Sequence, residues 1–203
     1  MATYTTVGIC NHALVLCGAS PITSLSDDTA NARALNVVYE NSRKSFLTEC
    51  RWTFALTRST LATVATTAIA FLYDSEIAVY TRPTDALRVW QMSDIEAIWR
   101  EEGAYIISNT ASLGTLYTFD HSEIGLWRHK TIEAFIDKLC SDICFMILNS
   151  GPKAQAFLEK YQKVTLPKAM AEDSQTGLHQ EVIDNEWLKS KYGGGGNASR
   201  SYS

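Results

Sequence analysis

Between Trp127 and Ser150 the residues Ile132, Phe135, Ile136, Leu139, Ile143, Met146 and Ile147 repeat at helical spacing. They form one wide apolar stripe on a helix of about five turns. A helix so broadly apolar has to be buried against other helices, which makes a helical bundle the frame of the fold. Gly151-Pro152 is the expected order of cap and stop at its end.

Other helices follow from the same periodicity. Val7, Cys10, Leu14 and Cys17 predict a helix over 5–18, with Gly18 just past its end. After the turn-rich Ala19-Ser20-Pro21-Ile22-Thr23-Ser24, Ser26 is the expected cap of a second helix over 27–51. Asp27 and Asp28 would then lie in its first turn, and Ala34, Leu35, Val38, Phe46 and Leu47 would be buried. A last helix over 153–173 carries Ala154, Phe157, Leu158 and Tyr161, and Pro167 must kink or restart it.

Between these helices the signal changes to β. The Thr/Ala-rich stretch 60–70 has no clean period and reads as a loop, and strands are expected from 71 to 119. They are 76–80, 87–92, 95–100, 104–108 and 113–119, with Glu101-Glu102-Gly103 as a hairpin tip where Gly supplies positive φ. Four or five short strands in sequence order suggest an antiparallel meander with one face on the helices. The predicted class is α+β: an antiparallel bundle of about four helices with a small inserted antiparallel sheet. One domain spans 1–173, and 174–203 is an extended C-terminal tail, polar and glycine-rich from 193 and expected to be flexible there.

Composition narrows function by exclusion. The chain has 203 residues, 46% hydrophobic and 20% charged, the balance of a protein with a core. A net charge of −4 supplies no basic footprint for sequence-specific nucleic-acid binding. No signal-peptide pattern opens the chain and no stretch is apolar enough to span a bilayer, so no membrane is expected. The five cysteines read as reduced thiols. Cys10 and Cys17, like Cys140 and Cys144, share a helical face and read as small core residues rather than metal ligands.

No nucleophile elbow, zincin or P-loop motif occurs. Asp120-His121-Ser122-Glu123 with His129 is the nearest approach to a metal cluster, but Asp and Ser before a helix read as caps. Cys50 beside Arg51 could have a lowered pKa, yet no His or Asn partner is placed, and packing at a helix end is the plainer role. Asp27-Asp28 and Glu101-Glu102 read as a cap and a solvated tip. The basic residues Arg33, Arg43, Lys44, Arg51, Arg58, Arg128, His129 and Lys130 read as solvated helix faces or ion pairs between subunits. No catalytic, cofactor-binding or metal site is expected, and the chain reads as a structural subunit rather than an enzyme.

The ordered pattern resembles a family. Cys10-Asn11-His12-Ala13-Leu14-Val15-Leu16-Cys17-Gly18, then Pro21-Ile22-Thr23-Ser24-Leu25 and Ala32, are similar to the opening of the head-to-tail adaptors of short-tailed bacteriophages (podoviruses), the tail tubular protein A family. Trp52-Thr53-Phe54-Ala55 resembles the aromatic end of that family's second helix, and Tyr80-Thr81-Arg82-Pro83-Thr84-Asp85-Ala86-Leu87-Arg88-Val89 its Pro-x-Asp-x-Leu-Arg block. Glu102-Gly103 with Ile106-Ile107-Ser108 fits the following hairpin, Trp127 and 131–150 the third helix, and 169–173 the close of the fourth. Asn185-Glu186-Trp187-Leu188-Lys189-Ser190-Lys191-Tyr192 resembles the family's terminal motif. The matches cover nearly the whole chain. Departures are the missing Pro or Gly in 60–70, Pro167 in the last helix, and Lys191 where Arg is common.

The resemblance implies a virion protein, made in the host cytoplasm, that forms a ring of typically twelve copies at the head–tail interface. Portal protein would lie above and the tail nozzle below, with tail fibres as further candidate neighbours and DNA passing through the lumen without specific binding. Interface residues expected from it are Arg88, Trp187, Leu188, Lys191 and Tyr192. Trp52, Phe54, Pro83, Asp85 and Trp127 are expected to be structural. The competing readings are an accessory nucleic-acid-binding protein of a phage, whose DNA complex would weaken steeply with salt, and a hydrolase with a concealed site.

Overall fold

The structure, a computed structural model, describes residues 4–175. Trp187, Leu188, Lys191 and Tyr192 therefore lie outside the described residues, as does nearly all of the expected tail. The architecture is α+β, with a helical bundle and an antiparallel β unit inserted between its second and third helices.

Helix α1 (Thr6–Cys17) begins at Thr5, whose Oγ1 accepts the Gly8 N–H at 3.0 Å. It ends at Gly18, whose φ of +85° is the left-handed cap that only glycine adopts without strain. Helix α2 (Ala30–Glu49) starts three residues later than the sequence predicts, and its cap is Thr29 rather than Ser26. Asp27 is occupied in the preceding turn, where its carboxylate accepts from the Thr23 and Ser24 backbone N–H groups and the Thr23 hydroxyl. Those hydrogen bonds hold its pKa below the usual carboxylate range.

Helix α3 (His129–Leu148) is the predicted apolar helix, but Asn149, in the left-handed region at φ 51°, ends it. Gly151 instead opens α4 (Gly151–Lys160), with Pro152 in the first turn, where a missing N–H costs nothing. Pro167 does restart the last helix. A π turn, Tyr161–Thr165, joins α4 to α5 (Leu166–Ser174), and the wider turn absorbs the donor and the space that proline denies the carbonyl four residues back. The result is one continuous rod antiparallel to α3, so the bundle has four rods.

Strands begin earlier than predicted. β1 (Leu56–Thr60) and β2 (Thr63–Val64) lie partly inside the stretch read as a loop. Then come β3 (Ala78–Thr81), β4 (Ala86–Met92), β5 (Trp99–Glu102), β6 (Tyr105–Ser108) and β7 (Gly114–Phe119). They form two sheets rather than one meander: β1-β7-β4 and β2-β3-β6-β5, with every pairing antiparallel. The sheets bury their inner faces mainly on each other, through Val89, Met92 and Tyr117 on one side and Ala78, Tyr80 and Ile106 on the other. This corrects the expected packing of one sheet face on the helices; the inner positions are large enough to build a core of their own. Gly103 at the β5–β6 tip has φ 59°, the positive angle that the tip requires.

Candidate interaction surfaces

An aromatic cluster joins bundle to sheets. Phe46 of α2 stacks on Trp52 (ring centres 4.9 Å apart) and on Trp127 (5.6 Å), and touches Phe135 and Tyr161. The Trp52 Nε1–H donates to the Phe46 carbonyl at 3.0 Å, and Phe54 lies 5.3 Å from Trp127. Trp52, only 1% exposed, and Trp127 are core residues as expected, and Phe54 packs beside them.

Beside this cluster lies an ion network that the sequence did not reveal. Arg43 is 2% exposed, not a solvated helix residue. Its guanidinium pairs with Glu40 (2.6 Å) and Asp120 (2.7 Å) and donates to the His121 carbonyl at 2.8 Å. Lys44 reaches the other Asp120 oxygen at 3.2 Å. Burial raises the Asp120 carboxyl, but the two cations outweigh it and its pKa is lowered. Asp120 is thus a clamp holding the end of β7 on α2 rather than a helix cap. His121 is buried with its pKa lowered by desolvation. His129 pairs with Glu133 of the same helix and with the hydroxyl of Tyr4 ahead of α1, apart from the Asp120 clamp. Among the described residues no group of three or more His, Cys, Asp or Glu is placed to hold a metal ion.

The corner at Pro83 and Asp85 is structural. The Ala86 N–H closes a turn on the Pro83 carbonyl, and the Asp85 carboxylate accepts the Tyr117 hydroxyl at 3.1 Å. Glu101 and Glu102 are paired with Arg82 and Arg100 instead of standing free at a tip. Cys10, Cys17, Cys140 and Cys144 are buried between α1 and α3, where their small volume lets the helices approach closely. The Cys140 thiol meets the Ala13 carbonyl at 3.5 Å. Burial pushes the Cys10 thiol up to about 12 and, helped by Glu49 and Asp173, the Cys50 thiol up to about 11. Cys50 is therefore not an activated nucleophile despite its neighbour Arg51.

Among the described residues three surfaces stand out. At one end of the β2-β3-β6-β5 sheet, Phe71, Tyr73, Ile77, Ile95 and Ile98 are exposed, Ile98 by 68% and Phe71 by 65%. Ile77 and Ile98 flank the same stretch of β6: the Ile77 N–H donates to the Ser108 carbonyl, and the Asn109 N–H to the Ile98 carbonyl. At the far end of the bundle, Val15, Phe145 and Met146 are exposed. The third surface is the outer face of β1-β7-β4. Arg58 lies opposite Leu116, Leu116 opposite Gln91, and Arg88 opposite Thr118. Opposed residues share a face. Trp90 donates to the Thr118 hydroxyl at 2.7 Å, so its indole lies there too. The Arg88 guanidinium sits 4.0 Å from the Trp90 ring centre and Arg51 sits 5.8 Å from it, while Arg88 also donates to the Thr48 carbonyl at 2.8 Å. Arg88, expected at a subunit boundary, thus ties β4 to the end of α2 within its own chain.

No protein-family model matches this chain, and no curated protein matches it.

Proposed function

We propose that the chain is a structural subunit of a ring, the head-to-tail adaptor of a short-tailed bacteriophage virion, with the portal on one side and the tail nozzle on the other. It is not an enzyme in this reading. The motif order from Asn11 to Tyr192 suggests the family. The single physical observation that supports it is that one chain carries two unlike sets of exposed apolar side chains, one on the β unit and one on the helical bundle. Ring closure needs a head-to-tail contact between two different patches, whereas a single self-complementary patch would stop at a dimer. The Phe71–Ile98 patch lies on the β unit, and Phe145 and Met146 lie in the last turn of α3 in the bundle. Contiguous exposed apolar groups mark interaction sites.

The test is assembly of the Ile77→Asp/Ile98→Asp double variant on its cognate portal ring. Both positions are exposed, so the variant should keep the wild-type far-ultraviolet circular dichroism and lose ring formation as viewed by electron microscopy. A normal ring would refute the role given to this patch. A nucleic-acid-binding protein would instead give a retained DNA complex at low salt, with steep salt dependence.

A further inference from the structure

We propose that residues 181–188 dock across the outer face of the β1-β7-β4 sheet of their own chain, with their three carboxylates answering Arg51, Arg88 and Arg58. The deciding feature is which arginines lack a carboxylate. Arg33, Arg43, Arg82, Arg100 and Arg128 each pair with one. Among the described arginines only Arg51, Arg58 and Arg88 have no carboxylate partner, and all three serve one sheet face around Trp90 and Leu116. In a chain of net charge −4, three such arginines on one face make a local basic patch. Beside it, Arg58, Thr60, Gln91, Ser93 and Leu116 line a cleft of about 450 Å³.

Charge and reach together point to the occupant. Glu181-Val182-Ile183-Asp184-Asn185-Glu186-Trp187-Leu188 holds three carboxylates, no cation and four apolar side chains. Its apolar groups suit Leu116 and the Trp90 ring as its acids suit the arginines. The chain also leaves α5 at the right place. The Asp173 carboxylate accepts the Thr53 N–H at 2.9 Å and the Thr53 hydroxyl at 2.7 Å, which fixes the end of α5 two residues from Arg51. From Gln175 the six residues to Glu181 reach up to about 20 Å. The face is about 10 Å from β4 to β1, two strand spacings. No second chain is needed to bring these groups together.

This inference rests on the adaptor reading only for what displaces the segment: the portal-side partner would compete for Trp187 and Leu188, which are held on the sheet until assembly. The test uses the free full-length chain, so its failure is separate from any failure of ring formation. Amide hydrogen exchange at 182–187 should be slowed roughly tenfold in low salt, the scale expected of a few cooperating exposed ion pairs, and should revert in about 1 M salt. Glu181→Gln/Asp184→Asn/Glu186→Gln, which leaves residues 4–175 untouched, should remove the protection. Arg51→Gln/Arg58→Gln should do the same while sparing Arg88 and its hold on Thr48. Equal exchange in wild type and the carboxylate variant would overturn the proposal. So would protection that rises with chain concentration, which would assign the face to a second copy. A third contrary result is a DNA duplex retained by wild type while 182–187 exchange freely, which would assign it to nucleic acid.

Discussion

Replacing Phe46 by Ala should be among the most damaging single changes in the chain. Its ring is fully buried and contacts Trp52, Trp127, Phe135 and Tyr161, which sit after α2, before α3, on α3 and in the π turn. Those four rings are anchored on separate pieces of backbone, so they cannot all relax into the space left behind. A buried Phe→Ala substitution costs about 3–5 kcal/mol, and the cost rises with the cavity that survives. The upper half of that range is expected here, because aromatic pairs add about 0.5–1.5 kcal/mol beyond area. Urea unfolding followed by tryptophan fluorescence measures it: the midpoint should fall with little change in slope. Phe71→Ala is the control, since that ring is exposed and contacts Tyr73; it should stay within about 0.5 kcal/mol. A Phe46→Ala loss below about 1 kcal/mol would mean that the cluster does not join the bundle to the sheets.

Other expectations concern the Asp120 clamp and one helix cap. Because the folded Asp120 pKa is depressed below 3.8, its contribution is present above the unfolded value and is lost as pH falls through the folded one. Unfolding free energy should therefore drop below about pH 4, and Asp120→Asn should flatten that limb in acid titrations of stability. Arg43→Met should cost about 3 kcal/mol by denaturant unfolding, the low end for a broken buried pair, because Lys44 remains at Asp120. Gly18→Ala meets no atom within 4 Å, so only the left-handed backbone opposes it. Its cost should be about 1–2 kcal/mol by the same measurement, and Gly18→Asn should cost less.

Local features were legible in the sequence where one segment carried its own signal. The apolar period of α3, the Gly18 cap, the turn at Pro83 and the restart at Pro167 needed no distant partner. Thr29 was hidden because Ser26 and Asp27 are equally good caps, and only the turn made by Asp27 decides between them. β1 escaped because its partner is β7, more than fifty residues away, and Thr-rich edge strands have no local periodicity. Arg43 looked solvated because its counter-charge Asp120 comes from the far end of the β insertion. The outer sheet face was illegible for the same reason: Arg51, Arg58 and Arg88 become neighbours only when β1, β7 and β4 are assembled.

The adaptor reading is tested most directly by mixing the purified chain with its cognate portal ring and measuring the mass of the product by native mass spectrometry. The account predicts a portal ring carrying a full added ring of this chain, a single discrete species rather than a ladder. A portal ring whose mass is unchanged, with the chain recovered free, would contradict it.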